Sequence, residues 1–200
     1  MHFLAKAADA IDRYVMAIGR AVTWLALLLA AVIIFDVITR RFLVLGSTKL
    51  QEMEWHLHAV LFMFCVGFAY VVNAHVRIDL FRDKISQRSK SWIEAIGCVV
   101  FAIPYVALLL FLSIGAAYDS YRVGEVSSAG TGLPYRWIIK SCMSIGFLLL
   151  LLACLSVLFR HILLLFAPPT LAREVRAIMD QRSGFAAERV SVDDSQRAGA

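Results

Sequence analysis

Glu52, Glu54, His56 and His58 crowd into seven residues, EMEWHLH, at the mouth of a long apolar run. Carboxylates and imidazoles are ligands for zinc and its neighbours, and paired imidazoles hold b-type haem. On a helix, positions four apart share a face, so Glu52 goes with His56 and Glu54 with His58. Two residues turn a helix by about 200°, so the two faces look apart and the cluster does not converge on one ion by itself. Haem between helices needs histidines on facing helices at matching depth. His56 and His58 stand at one end of their apolar run, whereas His75 and His161 stand at the opposite membrane face. The expectation is no metal and no cofactor, with these residues serving as interfacial polar groups and salt-bridge partners.

A second polar group is Asp36, Arg40 and Arg41, near the end of the preceding apolar run. A carboxylate left unpaired on a lipid-facing surface is costly, so a partner is expected. Arg40 lies one helical turn from Asp36, and Arg40 or Arg41 could also meet Glu54 across two helices. The other reading of Asp36 is a side chain snorkelling to the interface.

Composition says what must position these residues. The chain is 60% hydrophobic with a mean hydropathy of +0.75, against about half apolar for a soluble domain. The apolar residues are gathered in blocks, and a bilayer-spanning helix needs roughly 20 of them. Four stretches qualify: Ala21 to about Thr39, Trp55 to about Ala74, Ala95 to Tyr118, and Ser141 to Phe159, with a further apolar stretch ending at Phe166. Runs of this length without alternation satisfy their backbone groups as helices. The fold class is therefore all-α integral membrane, with four transmembrane helices over residues 21–166. Residues 1–20 form an amphipathic interfacial helix, with Leu4, Ala7, Ile11, Val15 and Ile18 at helical spacing against Lys6, Asp9, Asp12 and Arg13. No cleavage pattern follows it, so it reads as part of an uncleaved anchor. Residues 167–200 form a polar tail with a short helix from Leu171 to Met179 and disorder beyond.

Fourteen Lys and Arg flank the spans on the side of the termini and the middle loop, against six on the other side. The positive-inside rule then puts both termini in the cytoplasm of a bacterial inner-membrane protein. The formal charge of +5 reflects this asymmetry and attraction to anionic membrane lipids; it does not indicate a nucleic-acid partner. All four cysteines fall in the apolar runs and form no CxxC, so they read as packing residues.

The loops are short. Thr48-Lys-Leu-Gln51 and Ser91-Trp-Ile-Glu94 fit the capping-box pattern and predict the starts of helices two and three. Pro104 predicts a kink in helix three. Ile78, Phe81 and Ile85 predict a short amphipathic helix in the middle loop. The third loop ends in Gly132-Leu133-Pro134 before helix four. Helices three and four carry no charge in their apolar runs, no discontinuous half-helices or repeats appear, and no nucleophile–base pair or phosphate-cradling loop is present. Those features are what a substrate-carrying transporter or an enzyme would show. An auxiliary or scaffold subunit, docking on another membrane protein, fits better; the alternative from another class is a haem-binding membrane anchor of a redox complex.

The order of landmarks resembles the small permease subunit, DctQ-like, of tripartite ATP-independent periplasmic (TRAP) transporters. Carrying the resemblance are Arg40-Arg41-Phe42 at the end of helix one, Glu54 opening helix two, Gly67 thirteen residues on, His75-Val-Arg77-Ile-Asp79, and Gly132-Leu133-Pro134 with Trp137 before helix four. It covers about Ile18 to Phe166. One departure is Lys140-Ser-Cys-Met143, where many relatives have a proline. The resemblance implies a sodium-coupled, binding-protein-dependent system for organic acids or related solutes. It implies two partners, the large permease subunit, which holds the substrate and ion sites, and a periplasmic substrate-binding protein. The small subunit enlarges the static scaffold of the large one. On this reading Glu54 pairs with Arg40 or Arg41 to lock helices one and two, and His58 faces a neighbouring helix. His75, Arg77 and Asp79 fix the cytoplasmic turn, and Gly132-Leu133-Pro134 shapes the periplasmic loop.

Overall fold

The structure, a computed structural model, describes residues 1–42, 46–74 and 86–182. His75, Arg77, Asp79, the middle-loop helix expected around Ile78–Ile85 and the last part of the tail lie outside the described residues.

All regular structure among the described residues is helical: α1 (His2–Thr23), α2 (Leu25–Phe42), α3 (Thr48–Val71), α4 (Gln87–Gly97), a π-helical turn (Cys98–Ala102), α5 (Ile103–Arg122), α6 (Trp137–Phe166) and α7 over 169–182. Four helical stretches are long and apolar enough to cross a membrane: His2–Phe42, Thr48–Val71, Gln87–Arg122 and Trp137–Phe166. This is the all-α membrane protein expected from the sequence.

The helix boundaries follow from local chemistry. α1 meets α2 at Trp24 without a loop, where the Thr23 hydroxyl donates back to the Gly19 carbonyl at 2.9 Å, a bond that bends helices. α3 opens as the sequence predicts, with the Ser47 carbonyl accepting from the N–H groups of Leu50 and Gln51. It closes on Asn73, which takes a left-handed φ of 60°, while the Ala74 N–H reaches the Ala69 carbonyl at 2.9 Å. α4 begins five residues earlier than its sequence pattern predicts: Ser86 caps it, accepting from the Ser89 N–H at 3.2 Å. Ser91, expected to be that cap, instead donates to the Gln87 carbonyl inside the helix. Pro104 has no N–H and would crowd the carbonyl four residues back. The π-helical turn just before it widens the backbone there.

The chain divides into two compact units. The first combines Met1–Val15, Phe68–Pro104 and Leu152–Ala200. In it, Leu163 of α6 packs with Leu171 and Val175 of α7 and with Leu4 and Ala5 of α1. Trp92 meets Phe166 edge to face, centroids 5.8 Å apart. On α1 the positions of this unit buried within the protein are Ala8, Asp12 and Val15, so a carboxylate faces inward.

The second unit combines Met16–Gly67 and Tyr105–Leu151. Here α3 and α6 approach closely through glycines. A Cβ on Gly67 would stand 3.1 Å from the Leu149 carbonyl carbon, and one on Gly146 would stand 2.7 Å from the Met63 Cβ. Small residues permit such contact between membrane helices, where dispersion and not water exclusion holds them. Tyr121 and Trp137 stack edge to face at 5.5 Å where α5 and α6 flank the third loop.

Candidate functional site

Within the second unit, the EMEWHLH cluster divides as its helical geometry requires. Glu52 is buried and turned to the third loop. Its Oε2 accepts the Leu133 N–H at 2.6 Å, and its Oε1 accepts the Ser127 hydroxyl. Ser127 in turn receives the Ala129 N–H at 3.1 Å, and Thr131 reaches the Thr48 hydroxyl at 3.2 Å. Gly132 is required where it stands, because a Cβ there would fall 2.3 Å from the Ser127 Cβ and 2.7 Å from the Glu52 carboxylate.

The rest of the loop is closed by backbone bonds. Gly124 takes a left-handed φ of 61° after α5, and the Glu125 N–H bonds the Ser120 carbonyl at 2.9 Å. Tyr135 also sits in the left-handed region, at φ 62°, an uncommon conformation for an aromatic residue. It is held by the next residue, whose N–H reaches the Glu125 carbonyl at 3.1 Å. The Lys140 side chain bonds the Glu125 carboxylate, and this ammonium, with the Ser120 hydroxyl, holds that carboxyl below its usual range. Lys140 thus binds the loop from the first turn of α6. Within Gly132-Leu133-Pro134 the Leu133 N–H bonds Glu52, a residue the sequence reading assigned no role in this loop. Replacing Glu52 with alanine strips the Leu133 N–H and the Ser127 hydroxyl of their acceptor. Residues 125–136 of this variant should then be cut by protease much faster than in the native protein, while the helices stay intact; equal rates would show that the loop does not depend on Glu52.

On the other face of the cluster, Glu54 looks toward α2. Asp36 is 2% exposed and forms an ion pair with Arg40, the pairing within one helix that the spacing allowed. With the Gln51 amide oriented to place its oxygen toward Arg40, that oxygen accepts from Nη1 and Nη2 at 3.1 and 2.9 Å, so Arg40 links α2 to α3. Glu54 is not the residue that locks these helices. Among the described residues it forms no ion pair with Arg40 or Arg41, although all three line one groove with Ile33, Asp36 and Val37. His58, with Phe62 and Met63, lines an apolar cavity against Ile139, Cys142 and Met143 of α6. His56 turns back onto the Glu52 carbonyl. No three metal-ligating side chains converge among the described residues.

The first unit holds a polar cluster that sequence reasoning missed. Asp12 is 1% exposed and accepts from Arg160 Nε at 2.9 Å, from Arg160 Nη2, from Arg182 and from the Ser156 hydroxyl at 2.5 Å. Asp9 takes a further bond from Arg160 Nη2 at 2.9 Å. α1, α6 and α7 are joined by this network. The only signal available was Asp12 lying four residues from Ala8 and three from Val15 on one face of α1.

With this geometry in place, comparison supplies the relationship. The family described as the DctQ component of tripartite ATP-independent periplasmic transporters matches residues 29–164, more than half of the chain. The chain belongs to the DctQ family. No curated protein and no solved structure matches it. As a DctQ component with four apolar spans, it is a multi-pass protein of the inner membrane and a part of a TRAP transporter. The DctQ match runs from α2 to the end of α6, so it includes Asp36, Glu52, Glu54 and Arg160. The DctQ match stops short of Asp9, Asp12 and Arg182, the partners that surround Arg160.

Proposed function

We propose that this DctQ component is the static small subunit of a sodium-coupled TRAP system for organic acids or related solutes. It packs on the large permease subunit, enlarges that subunit's scaffold and offers its third loop to the substrate-binding protein, with both termini cytoplasmic. The observation that carries this reading is where the polar groups lie. Ala95–Tyr118 and Ser141–Phe159 contain no charged residue, so the centre of those spans offers no charged ligand to a carried ion or carboxylate. The charged clusters lie toward helix ends, and one of them fixes a loop. A fixed loop suits a docking platform, because little ordering entropy is lost on binding.

Reconstitution tests the reading. Liposomes holding both permease subunits and supplied with the binding protein should accumulate solute under a sodium gradient. Omitting this chain should abolish uptake, and exchanging the binding protein together with the large subunit should change the solute. Uptake by this chain alone, or full uptake without it, would refute the scaffold role. A Soret band in the purified chain would favour the redox-anchor alternative.

A further inference from the structure

The first unit contains a cavity of about 190 Å³. Its walls come from the end of α3, the start of α4, the C-terminal part of α6 and α7, where three of the apolar runs stop. It is open, since Asn73, Gln87, Arg176 and Asp180 in its wall are exposed. Four cations line it, Lys90, Arg160, Arg176 and Arg182, against the carboxylates of Asp12 and Asp180. Adding Asp9, which pairs with Arg160 and Arg182, and counting His161 as neutral, four cations meet three carboxylates. One positive charge is in excess.

Several donors here are also unspent. Arg160 donates through Nε and Nη2 to Asp12 and Asp9, while among the described residues its Nη1 donates no hydrogen bond. A guanidinium that is 4% exposed and has N–H groups left over needs an acceptor beside it. The side chains of Lys90 and Arg176 make no ion pair or hydrogen bond among the described residues. Donors of one sign on α4, α6 and α7 therefore line a single cavity without an acceptor of their own.

Size and depth narrow the occupant. The volume is below the roughly 300 Å³ at which sites for drug-sized ligands begin, so it suits one small anionic group. Val71, Val157 and Leu164 make part of the wall apolar, and Trp92, Ile93 and Ile96 stand exposed further along α4. A phosphodiester carries one negative charge, matching the excess, and phospholipids present it where membrane spans end; basic pockets between membrane helices hold such headgroups. We propose that the cavity is a phosphodiester site, filled by the headgroup of an anionic phospholipid whose acyl chains lie along α4. Lys90, Arg160 Nη1 and Arg176 are its donors. The bound lipid ties α4 to α6 and α7 and stabilises the folded chain by mass action.

The test titrates phosphatidylglycerol into the delipidated full chain in neutral detergent, reading retained adducts by native mass spectrometry and the midpoint of thermal unfolding. Diacylglycerol with the same acyl chains controls for the phosphate, and sodium phosphate controls for the lipid. Lys90→Gln with Arg176→Gln removes two cavity cations and leaves the Asp12 network in place. Arg88→Gln with Arg173→Gln removes the same charge from exposed positions of the same two helices outside the cavity. Phosphatidylglycerol should bind and raise the midpoint, and diacylglycerol should do neither. Affinity for phosphatidylglycerol should fall at least about tenfold in the cavity variant, the effect of one hydrogen bond of about 1.4 kcal/mol. The outer variant should bind like the native chain. Equal losses in the two variants would reduce the binding to diffuse attraction and overturn the site, as would equal binding of diacylglycerol. Protection by sodium phosphate and not by phosphatidylglycerol overturns the assignment to lipid, and no effect of either overturns the cavity as an anion site.

Discussion

Replacing Asp12 with alanine is expected to destabilise the protein by about 3–5 kcal/mol, the usual cost of removing one partner from a buried ion pair. Arg160 is only 4% exposed, so it cannot recover in water what it loses. Arg182 is better placed, its side chain 18% exposed, and can turn outward. Asp9 retains one bond to Arg160 but, being 42% exposed, compensates weakly. The measurement is thermal unfolding of the purified chain in mild detergent. The mechanism has its own signature, because converting the pair to apolar residues removes the orphaned charge as well. Asp12→Leu with Arg160→Met should therefore be far more stable than the sum of the two single changes implies. An Asp12→Ala protein that melts with the native one would show that the network contributes nothing.

Gly146→Leu should produce the other large loss, of about 1–3 kcal/mol or somewhat more. A side chain at this position runs into Met63, both at its Cβ and at its carbonyl oxygen, which a Cβ would approach to 3.0 Å. Backbone cannot rotate aside as a side-chain tip can, so α3 and α6 must separate. The sign of the alanine variants makes the test sharper. Alanine exceeds glycine in helix propensity by about 1 kcal/mol, so Gly→Ala in open space should stabilise. Gly146→Ala should instead destabilise, and Gly67→Ala, 3.1 Å from the Leu149 backbone, should fall between these cases. Thermal stability rising in all three variants would show that the helices are not in contact there.

What the sequence allowed to be read, and what it did not, divides along the range of the interactions. The four spans were legible because length and composition alone decide them. The Asp36–Arg40 pair was legible because both residues lie one turn apart on one helix. Glu52 was not, since its partners Ser127 and Leu133 lie 75 and 81 residues away and one of them is a backbone N–H. EMEWHLH therefore looked balanced between two glutamates, and the family landmark drew attention to Glu54. Arg160 counts in the sequence only as one of the flanking cations that set orientation. Its burial by Asp12 depends on α1 packing against α6, which no local pattern announces. The start of α4 was misplaced because two serines, Ser86 and Ser91, both lie near plausible starts. Only Ser86 precedes the first turn closely enough to bond its free N–H groups. The π-helical turn had one local sign, Pro104, which pointed to a distortion but not to its kind.

The span of the Asp12–Arg160 contact bears on how the protein is made. The two residues are 148 positions apart, so at typical synthesis rates Asp12 waits roughly 7–30 s for its arginine. During that interval α1 carries a bare carboxylate on the face that must later be buried. The first helix is held near water until the last one arrives, and translation of α6 and α7 becomes the step that commits the N-terminus to its place.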